Sequence, residues 1–196
     1  MKTTEFSIDK AAKLLRIERT DFDEVARLKE KLSLNFRNAE LWAQLGAQYS
    51  RTAIPFFFRG APCLPDLSGV YSNDAISSFE TALALNDSAT SVWVELGKIA
   101  YRAKKWETAA EAFSEVFAKD PGPYQWFSLM THALLATGKA EATLECYEKT
   151  RAVVPGQYIP IDDEIRALLH LGRVSEVEER FQNYDFNQEC AEPLLI

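Results

Sequence analysis

The stretch that decides the fold is residues 93–121, WVELGKIAYRAKKWETAAEAFSEVFAKDP. Four of its residues recur at i, i+3, i+4 and i+7, the spacing of one face of an α-helix: Trp93, Leu96, Gly97 and Ala100. The spacing predicts a first helix whose apolar face packs against a neighbour. Because glycine has no side chain, Gly97 would let that neighbour approach closely.

A second helix is predicted in the latter half of the same stretch. Ala109 and Phe113 are four residues apart and therefore share one face of this helix. The small Ala109 would meet Gly97 across the pair, and Phe113 would fill the space beyond. Pro121 cannot continue a helix and closes the unit. The stretch thus predicts two packed helices joined by a short turn.

The pattern returns with a period of about 34 residues. The next copy consists of Phe127, Met130, Gly138, Tyr147 and Pro155. In it, Thr131 replaces the glycine and Thr143 replaces the alanine. A third, degraded copy consists of Ile161, Ile165, Leu168, Gly172, Val177 and Phe181. Glu164 stands there at a normally apolar position, as is tolerated in end repeats, which pack on only one neighbour.

An interrupted copy precedes the stretch. Its first helix is marked by Trp42, Leu45, Gly46 and Tyr49, and its second helix by Ala75, Phe79 and Ala82. Trp42 lies 51 residues before Trp93, which is 17 more than the period. Residues 51–71 therefore contain an insertion between the two helices of this copy.

This arrangement of Trp, Leu, Gly, Ala, Phe and Pro resembles the tetratricopeptide-repeat (TPR) family over residues 39–184. The resemblance implies an all-α fold, a helix-turn-helix solenoid that winds as a right-handed superhelix. Residues 37–184 would form about four repeats, the first of them interrupted by the insertion. Residues 1–36 predict two N-terminal capping helices, at about 9–19 and 22–34, and residues 185–196 form a C-terminal tail.

The resemblance also implies a site, because the first helices of TPR units line a concave groove that commonly holds a peptide. The groove-facing positions carry cationic or titratable residues, which we call the basic ladder: Arg51, Lys98, Arg102, His132, Arg166 and His170. Such a groove would bind an acidic segment or a C-terminal carboxylate. The alternative is a solvated helix face with scattered charges, since three acids lie close by: Glu40, Glu95 and Asp162.

The insertion offers a second candidate surface. Its prolines and glycines are predicted to prevent a long helix: Pro55, Pro62, Pro65, Gly60 and Gly69. Its apolar residues are too many for a solvated loop, and four of them form the candidate insertion rim: Ile54, Phe56, Phe57 and Phe58. The rim would dock a partner protein, or it would fold back on the first repeat or fill the groove. Membrane contact is a weaker alternative, because no amphipathic helix is present.

Composition and motifs argue against several classes of function. A net charge of −7 and a pI near 5.0 disfavour a nucleic-acid ligand. No segment approaches the roughly 18 apolar residues of a membrane span and no secretory signal is apparent, so we expect a cytoplasmic protein. The three cysteines are widely spaced and match neither a disulfide framework nor a zinc motif. We expect no metal, no other cofactor and no enzymatic activity, with Cys146 and His132 as the one catalytic alternative.

The expected function is a non-catalytic interaction scaffold, adaptor or assembly factor that holds a partner protein segment in the groove. The alternatives are a dedicated chaperone for a secreted or assembled client and a regulatory or targeting subunit of an enzyme complex. A heat-shock tail is not the expected ligand, because the clamp positions of co-chaperone TPR domains hold Ala43, Ala47 and Glu95. Residues 193–196, PLLI, would pack on the last repeat or enter the groove of a second copy.

Overall fold

The computed structural model describes residues 19–58, 65–121, 126–155 and 159–183. Within these ranges, the side chains of residues 19–22, 53–58, 65–70 and 183 lie outside the description. The described residues form nine helices and no strand. The helices are α1 Arg19–Leu34, α2 Ala39–Phe58, α3 Pro65–Leu85, α4 Thr90–Arg102, α5 Trp106–Lys119, α6 Phe127–Ala136, α7 Ala140–Val153, α8 Asp162–His170 and α9 Val174–Asn183.

The order of the helices follows the repeat read from the sequence. The first helix of each copy is α2, α4, α6 or α8, and the second helix is α3, α5, α7 or α9. The expected all-helical TPR fold is confirmed. Helix α1 covers the second expected N-terminal helix, whereas the first, at about 9–19, falls almost entirely outside the described residues, as does the tail 185–196.

The chain divides into two compact units, Met1–Ala103 and Lys104–Ile196, here called unit 1 and unit 2. In unit 1, α2 packs along α3, α1 packs on α2, and α4 contacts both α3 and α2. In unit 2, α5 packs on α6, α6 contacts α7 and α8, and α8 packs between α7 and α9. In each unit, therefore, two consecutive first helices touch each other: α2 and α4 in unit 1, and α6 and α8 in unit 2.

The two tryptophans that define the repeat make the same hydrogen bond. The indole Nε1 of Trp42 donates to the carbonyl of Phe36 at 2.8 Å, and that of Trp93 donates to the carbonyl of Asp87 at 2.9 Å. Each bond reaches back six residues and ties the preceding turn to the first helix. The sequence repeat is thus also a repeat of local structure.

Gly46 shows why a glycine stands in the first helix of a repeat. A Cβ atom added to Gly46 would lie 2.8 Å from Cδ1 of Phe79, which is buried on the paired helix α3. Real carbon atoms do not pack at that distance, so any side chain at this position would displace the ring or the helix. The missing side chain therefore sets the spacing between α2 and α3.

The turns that follow three successive first helices contain a left-handed residue once per repeat. These residues are Lys104, Gly138 and Gly172, with φ of 58°, 75° and 70°. After the two glycines, Lys139 N–H donates to Leu134 O and Arg173 N–H donates to Leu168 O, both at 2.9 Å. This pairing is the Schellman motif that ends many helices. Lys104 adopts the same conformation without being a glycine, at a steric cost.

The prediction that the insertion forms no long helix is wrong. Helix α2 continues through Pro55 to Phe58, and α3 begins at Pro65, so residues 51–58 and 65–71 are helical. Pro65 is the first residue of its helix, where the missing N–H has no helical acceptor in any case. Pro55 removes one internal hydrogen bond, and we attribute its tolerance to the packing of α2 along α3. The insertion thus lengthens both helices, to 20 and 21 residues, compared with 13 and 14 in α4 and α5.

Candidate partner-binding site

Three members of the basic ladder lie in unit 1, on the contacting helices α2 and α4. Arg51 is exposed on α2, and Lys98 and Arg102 are half-buried on α4. The ammonium of Lys98 is 2.9 Å from Oε1 of Glu95, one turn earlier in the same helix. Glu95 therefore offsets the charge of Lys98, as the sequence indicated.

The two ladder arginines of unit 1, Arg51 and Arg102, have no ionic partner among the described residues. Arg51 Nη1 donates to the neutral side-chain oxygen of Gln48 at 3.2 Å. Among the residues that the structure describes, neither Arg51 nor Arg102 has a carboxylate oxygen within 4.0 Å. Their guanidinium groups thus retain donors that a carboxylate could fill.

The other three members lie in unit 2, on the contacting helices α6 and α8. The ring of His132 meets Trp106 edge-on, with centroids 5.5 Å apart and planes at 83°. Arg166 Nη1 lies 3.2 Å from Oδ1 of Asp163, so its charge is matched. His170 is exposed in the last turn of α8. The continuous ladder of six residues stays a prediction.

The insertion rim lies in the last turns of α2. Ile54, Phe56, Phe57 and Phe58 all fall within the helical backbone of Ala39–Phe58, and their side chains lie outside the description. The rim as a docking surface therefore also stays a prediction, but its setting is a helix end and not a loop.

Unit 2 contains a buried ion cluster that was not predicted. Glu164, in the first turn of α8, is only 2% exposed. Its carboxylate accepts two bonds from Arg151 of α7, one of them from Nη1 at 2.7 Å and the other from Nη2. It also accepts a bond from Nε of Arg180 on α9 at 2.8 Å. One carboxylate thus joins three helices, and its hydrogen bond raises the pKa of Arg151.

Asp163 makes a second buried link beside the first. Its Oδ2 accepts a hydrogen bond from the hydroxyl of Thr131 at 2.8 Å, which connects α8 to α6. Thr131 occupies the glycine position of its repeat, so the unusual residue there has a bonding role. Close by, the phenol of Tyr147 donates to the carbonyl of Pro160 at 2.8 Å. Burial, and to a lesser extent the charge of Asp163, raise the pKa of Tyr147, which stays protonated at neutral pH.

Two features of the sequence could have revealed this cluster. Glu164 stands where the other copies have buried apolar residues: Leu45, Leu96 and Met130. A carboxylate at a core position needs cationic partners, because an unpaired buried charge is costly. The acidic run Asp162, Asp163, Glu164 forms the first turn of α8. Two of its three side chains, however, are buried and bonded to other helices.

The alternative of a cysteine nucleophile gains no support from the geometry. Cys146 is buried on α7, and burial raises the pKa of its thiol to about 11. Only about one thiol in ten thousand would then be ionised at pH 7, and it is the thiolate that attacks. Among the described residues, no group of three or more His, Cys, Asp or Glu side chains could hold a metal ion.

Comparison with known proteins finds likeness at the level of structure. No protein-family profile matches the sequence, and no curated protein matches it. The crystal structure of MamA protein aligns with a TM-score of 0.58 at 20% identity, over 87% of this chain and 86% of that chain. A second crystal structure of MamA aligns with a TM-score of 0.51 at 21% identity, over 90% and 87%.

A third solved structure is a thermophilic TPR protein from Thermus thermophilus. It aligns with a TM-score of 0.46 at 16% identity, over 75% of this chain and 71% of that chain. Together with the repeat in the sequence, the likeness to MamA defines the class: the fold is the helical TPR fold. In the described ranges, no helix combines the length and the apolar character that a membrane span requires.

Proposed function

We propose that this chain is a protein-interaction scaffold and that the α2–α4 face of unit 1 binds an acidic segment of a partner protein. The observation that carries the proposal is a pair of arginines, Arg51 and Arg102, on two first helices that contact each other. Neither has a carboxylate partner within the part of the chain that the structure describes. The protein as a whole is acidic, with a net charge of −7. A local cationic face on such a surface would select for acidic segments and orient them.

Charge alone cannot supply the affinity. An exposed ion pair contributes about 0–1 kcal/mol, whereas micromolar binding requires about 8 kcal/mol. Each buried Leu- or Phe-sized side chain contributes about 1.5–3 kcal/mol. The partner segment should therefore combine acidic residues with several apolar anchors. The insertion rim at the end of α2 is the candidate surface for those anchors.

The test is a pull-down from native cell extract, followed by affinity measurement with the purified partner. The groove variant is Arg51→Glu with Arg102→Glu. The matched control is Arg27→Glu with Arg37→Glu, which changes the net charge equally at two exposed arginines of the same unit. We expect the groove variant to bind at least about tenfold more weakly and the control to bind within about twofold of the parent protein.

Equal weakening in both variants, or in neither, would contradict the proposed face. A partner lost only with Phe56→Ser and Phe58→Ser would instead assign binding to the insertion rim. The nature of the partner separates the related functions. A client that is soluble only when co-expressed would indicate a dedicated chaperone, and an enzyme whose activity changes on binding would indicate a regulatory subunit.

A further inference from the structure

Arg51 and Arg102 occupy the same position of the repeat. They lie 51 residues apart, as do Trp42 and Trp93, and each follows the first residue of its helix by the same number of positions. Because α3 packs against both helices and carries the chain back to the start of α4, α2 and α4 run in the same direction. Equivalent positions on two such helices are separated by the distance between the helix axes, about 8–10 Å. The two arginines therefore form a pair whose spacing is set by the fold.

The surroundings of the two arginines define the pair further. Gln48 is a buried side chain one turn before Arg51 on α2, and its Oε1 accepts a hydrogen bond from Arg51 Nη1 at 3.2 Å. Arg102 is half-buried in the last turn of α4. The next copy of the repeat has Ala136 at this position, so the run of arginines ends with two members. A ligand that uses both arginines therefore needs two anionic groups at a matching distance.

This distance fits some regular peptide conformations and excludes others. In polyproline II, residues i and i+3 lie on the same side of the segment, about 9 Å apart. In a β-strand, residues that share a face are about 7 or about 13 Å apart, which is too close or too far. In an α-helix, residues i and i+7 are about 10.5 Å apart and would also match. The distance alone therefore leaves two conformations for the ligand.

The hydrogen-bond donors of the arginines favour polyproline II over the helix. A guanidinium has five N–H donors, of which a bidentate carboxylate takes two and Gln48 takes one from Arg51. The other donors can bond to the backbone carbonyls of a polyproline II segment, because such a segment has no internal hydrogen bonds. The carbonyls of a ligand helix already accept from its own N–H groups. An extended ligand thus satisfies more of the donors on this face.

We propose that the α2–α4 face binds a polyproline II segment of a partner protein that carries two acidic residues three positions apart. One carboxylate bonds to Arg51 and the other bonds to Arg102. This inference rests on the proposed function, because it specifies the ligand of the same face. It is also stricter, since an acidic segment of any spacing or conformation would satisfy the proposed function.

A peptide selection tests the spacing without a known partner. Phage-displayed random peptides are selected on the parent protein after subtraction on the Arg51→Gln, Arg102→Gln variant. We expect the enriched peptides to carry two Asp or Glu residues at the i, i+3 spacing more often than at any other spacing. Enrichment of the i, i+7 spacing, or of no particular spacing, would overturn this inference and leave the proposed function standing. A selection that enriches no acidic residues would overturn both.

Synthetic peptides made from an enriched sequence test the bridge between the two arginines. Exchanging the second acidic residue with the residue that follows it changes the spacing to i, i+4 at constant composition. This exchange should raise the Kd for the parent protein at least about fivefold, because one bidentate contact is lost. The two peptides should differ by less than about twofold on the Arg51→Gln, Arg102→Gln variant, where neither carboxylate has an arginine to bind.

The matched control is Arg27→Gln, which removes an exposed arginine of α1. This variant should retain the full difference between the two peptides. Equal affinity of the two peptides for the parent protein would overturn the proposed spacing. A difference that persists without Arg51 and Arg102 would overturn it as well, because the spacing would then be recognised by other residues.

Discussion

The two units of this chain fill the glycine position of the repeat in opposite ways. In unit 1 the position holds Gly46, where a side chain would meet Phe79 of the paired helix at 2.8 Å. In unit 2 it holds Thr131, whose hydroxyl donates to the buried carboxylate of Asp163 on the next first helix. At this position, therefore, the lack of a side chain allows two helices of unit 1 to pack closely, whereas a hydrogen bond joins two helices of unit 2.

The arginines of the two units also differ in their partners. In unit 2, Arg151 and Arg180 both bond to Glu164, which is buried. In unit 1, Arg51 and Arg102 have no carboxylate partner among the described residues. The arginines of unit 2 join helices by binding Glu164. We expect the two arginines of unit 1 to bind an acidic segment of a partner protein instead. The comparison teaches that sequence position alone does not reveal which cations are structural.

The largest expected effect is on the buried acid. Glu164→Ala should lower the free energy of unfolding by about 3 kcal/mol, because it leaves two half-buried arginines without their acceptor. Urea unfolding measures the loss. The matched control is Glu176→Ala, which breaks the exposed pair with Arg173 and should cost far less, because water screens an exposed pair. Equal losses would mean that the buried cluster contributes nothing particular to unit 2.

The next effect is a loss of stability at alkaline pH that depends on Cys146. Burial raises the pKa of this thiol from 9.0 to about 11, so the unfolded chain ionises first. The free energy of unfolding should fall as the pH rises from about 9 to about 11, by at most about 2.7 kcal/mol. Cys146→Ala should remove this component and leave the component due to Tyr147, whose pKa is also raised by burial. An unchanged slope in urea titrations over this range would contradict the assignment.

A third effect tests the close packing of Gly46 against Phe79 in unit 1. Gly46→Ala should lower the free energy of unfolding by about 2 kcal/mol, because the new methyl group overlaps the ring of Phe79. Phe79→Leu removes the overlapping edge of the ring. Chemical denaturation of the double variant should therefore show a loss clearly smaller than the sum of the two single losses. Strict additivity would indicate that the glycine is not required for the close approach.

The smallest effect concerns the one non-glycine among the described left-handed turn residues. Lys104→Gly should raise the free energy of unfolding by about 0.5 kcal/mol, because it relieves the strain of φ 58° at some cost in chain entropy. Gly138→Ala is the matched opposite change at φ 75° and should lower the stability by about 1 kcal/mol. Thermal unfolding of both variants checks the sign. A destabilising Lys104→Gly would show that its side chain is needed in the turn.

Most of the helices could be predicted because the repeat depends on residues whose effect is local. Trp42 and Trp93 make equivalent hydrogen bonds, and left-handed residues recur in the turns after three successive first helices. The position of a residue within the repeat was therefore enough to locate the helices. The insertion was misread because Pro55 was weighed by its local cost, whereas the pairing of α2 with α3 decides whether the helix continues.

The site was harder to predict than the fold. The ladder positions could be assigned from register, but which cations are neutralised depends on partners elsewhere in the chain. Arg166 is matched by Asp163, and Lys98 by Glu95, and only the structure separates them from Arg51 and Arg102. Glu164 was recognised as an exception in the sequence, yet its partners, on α7 and α9, lie more than two helical turns away along the chain on either side. No short-range pattern connects residues at those separations.

The measurement that tests the central claim most directly compares two neutralised arginine pairs by urea unfolding. The account predicts that Arg51→Gln with Arg102→Gln changes the free energy of unfolding by about 0.5 kcal/mol or less. It predicts that Arg151→Gln with Arg180→Gln costs about 3 kcal/mol, because Glu164 is then buried without a cation. Equal costs, or a larger cost for the unit 1 pair, would contradict the division between cations that hold the fold and cations left for a partner.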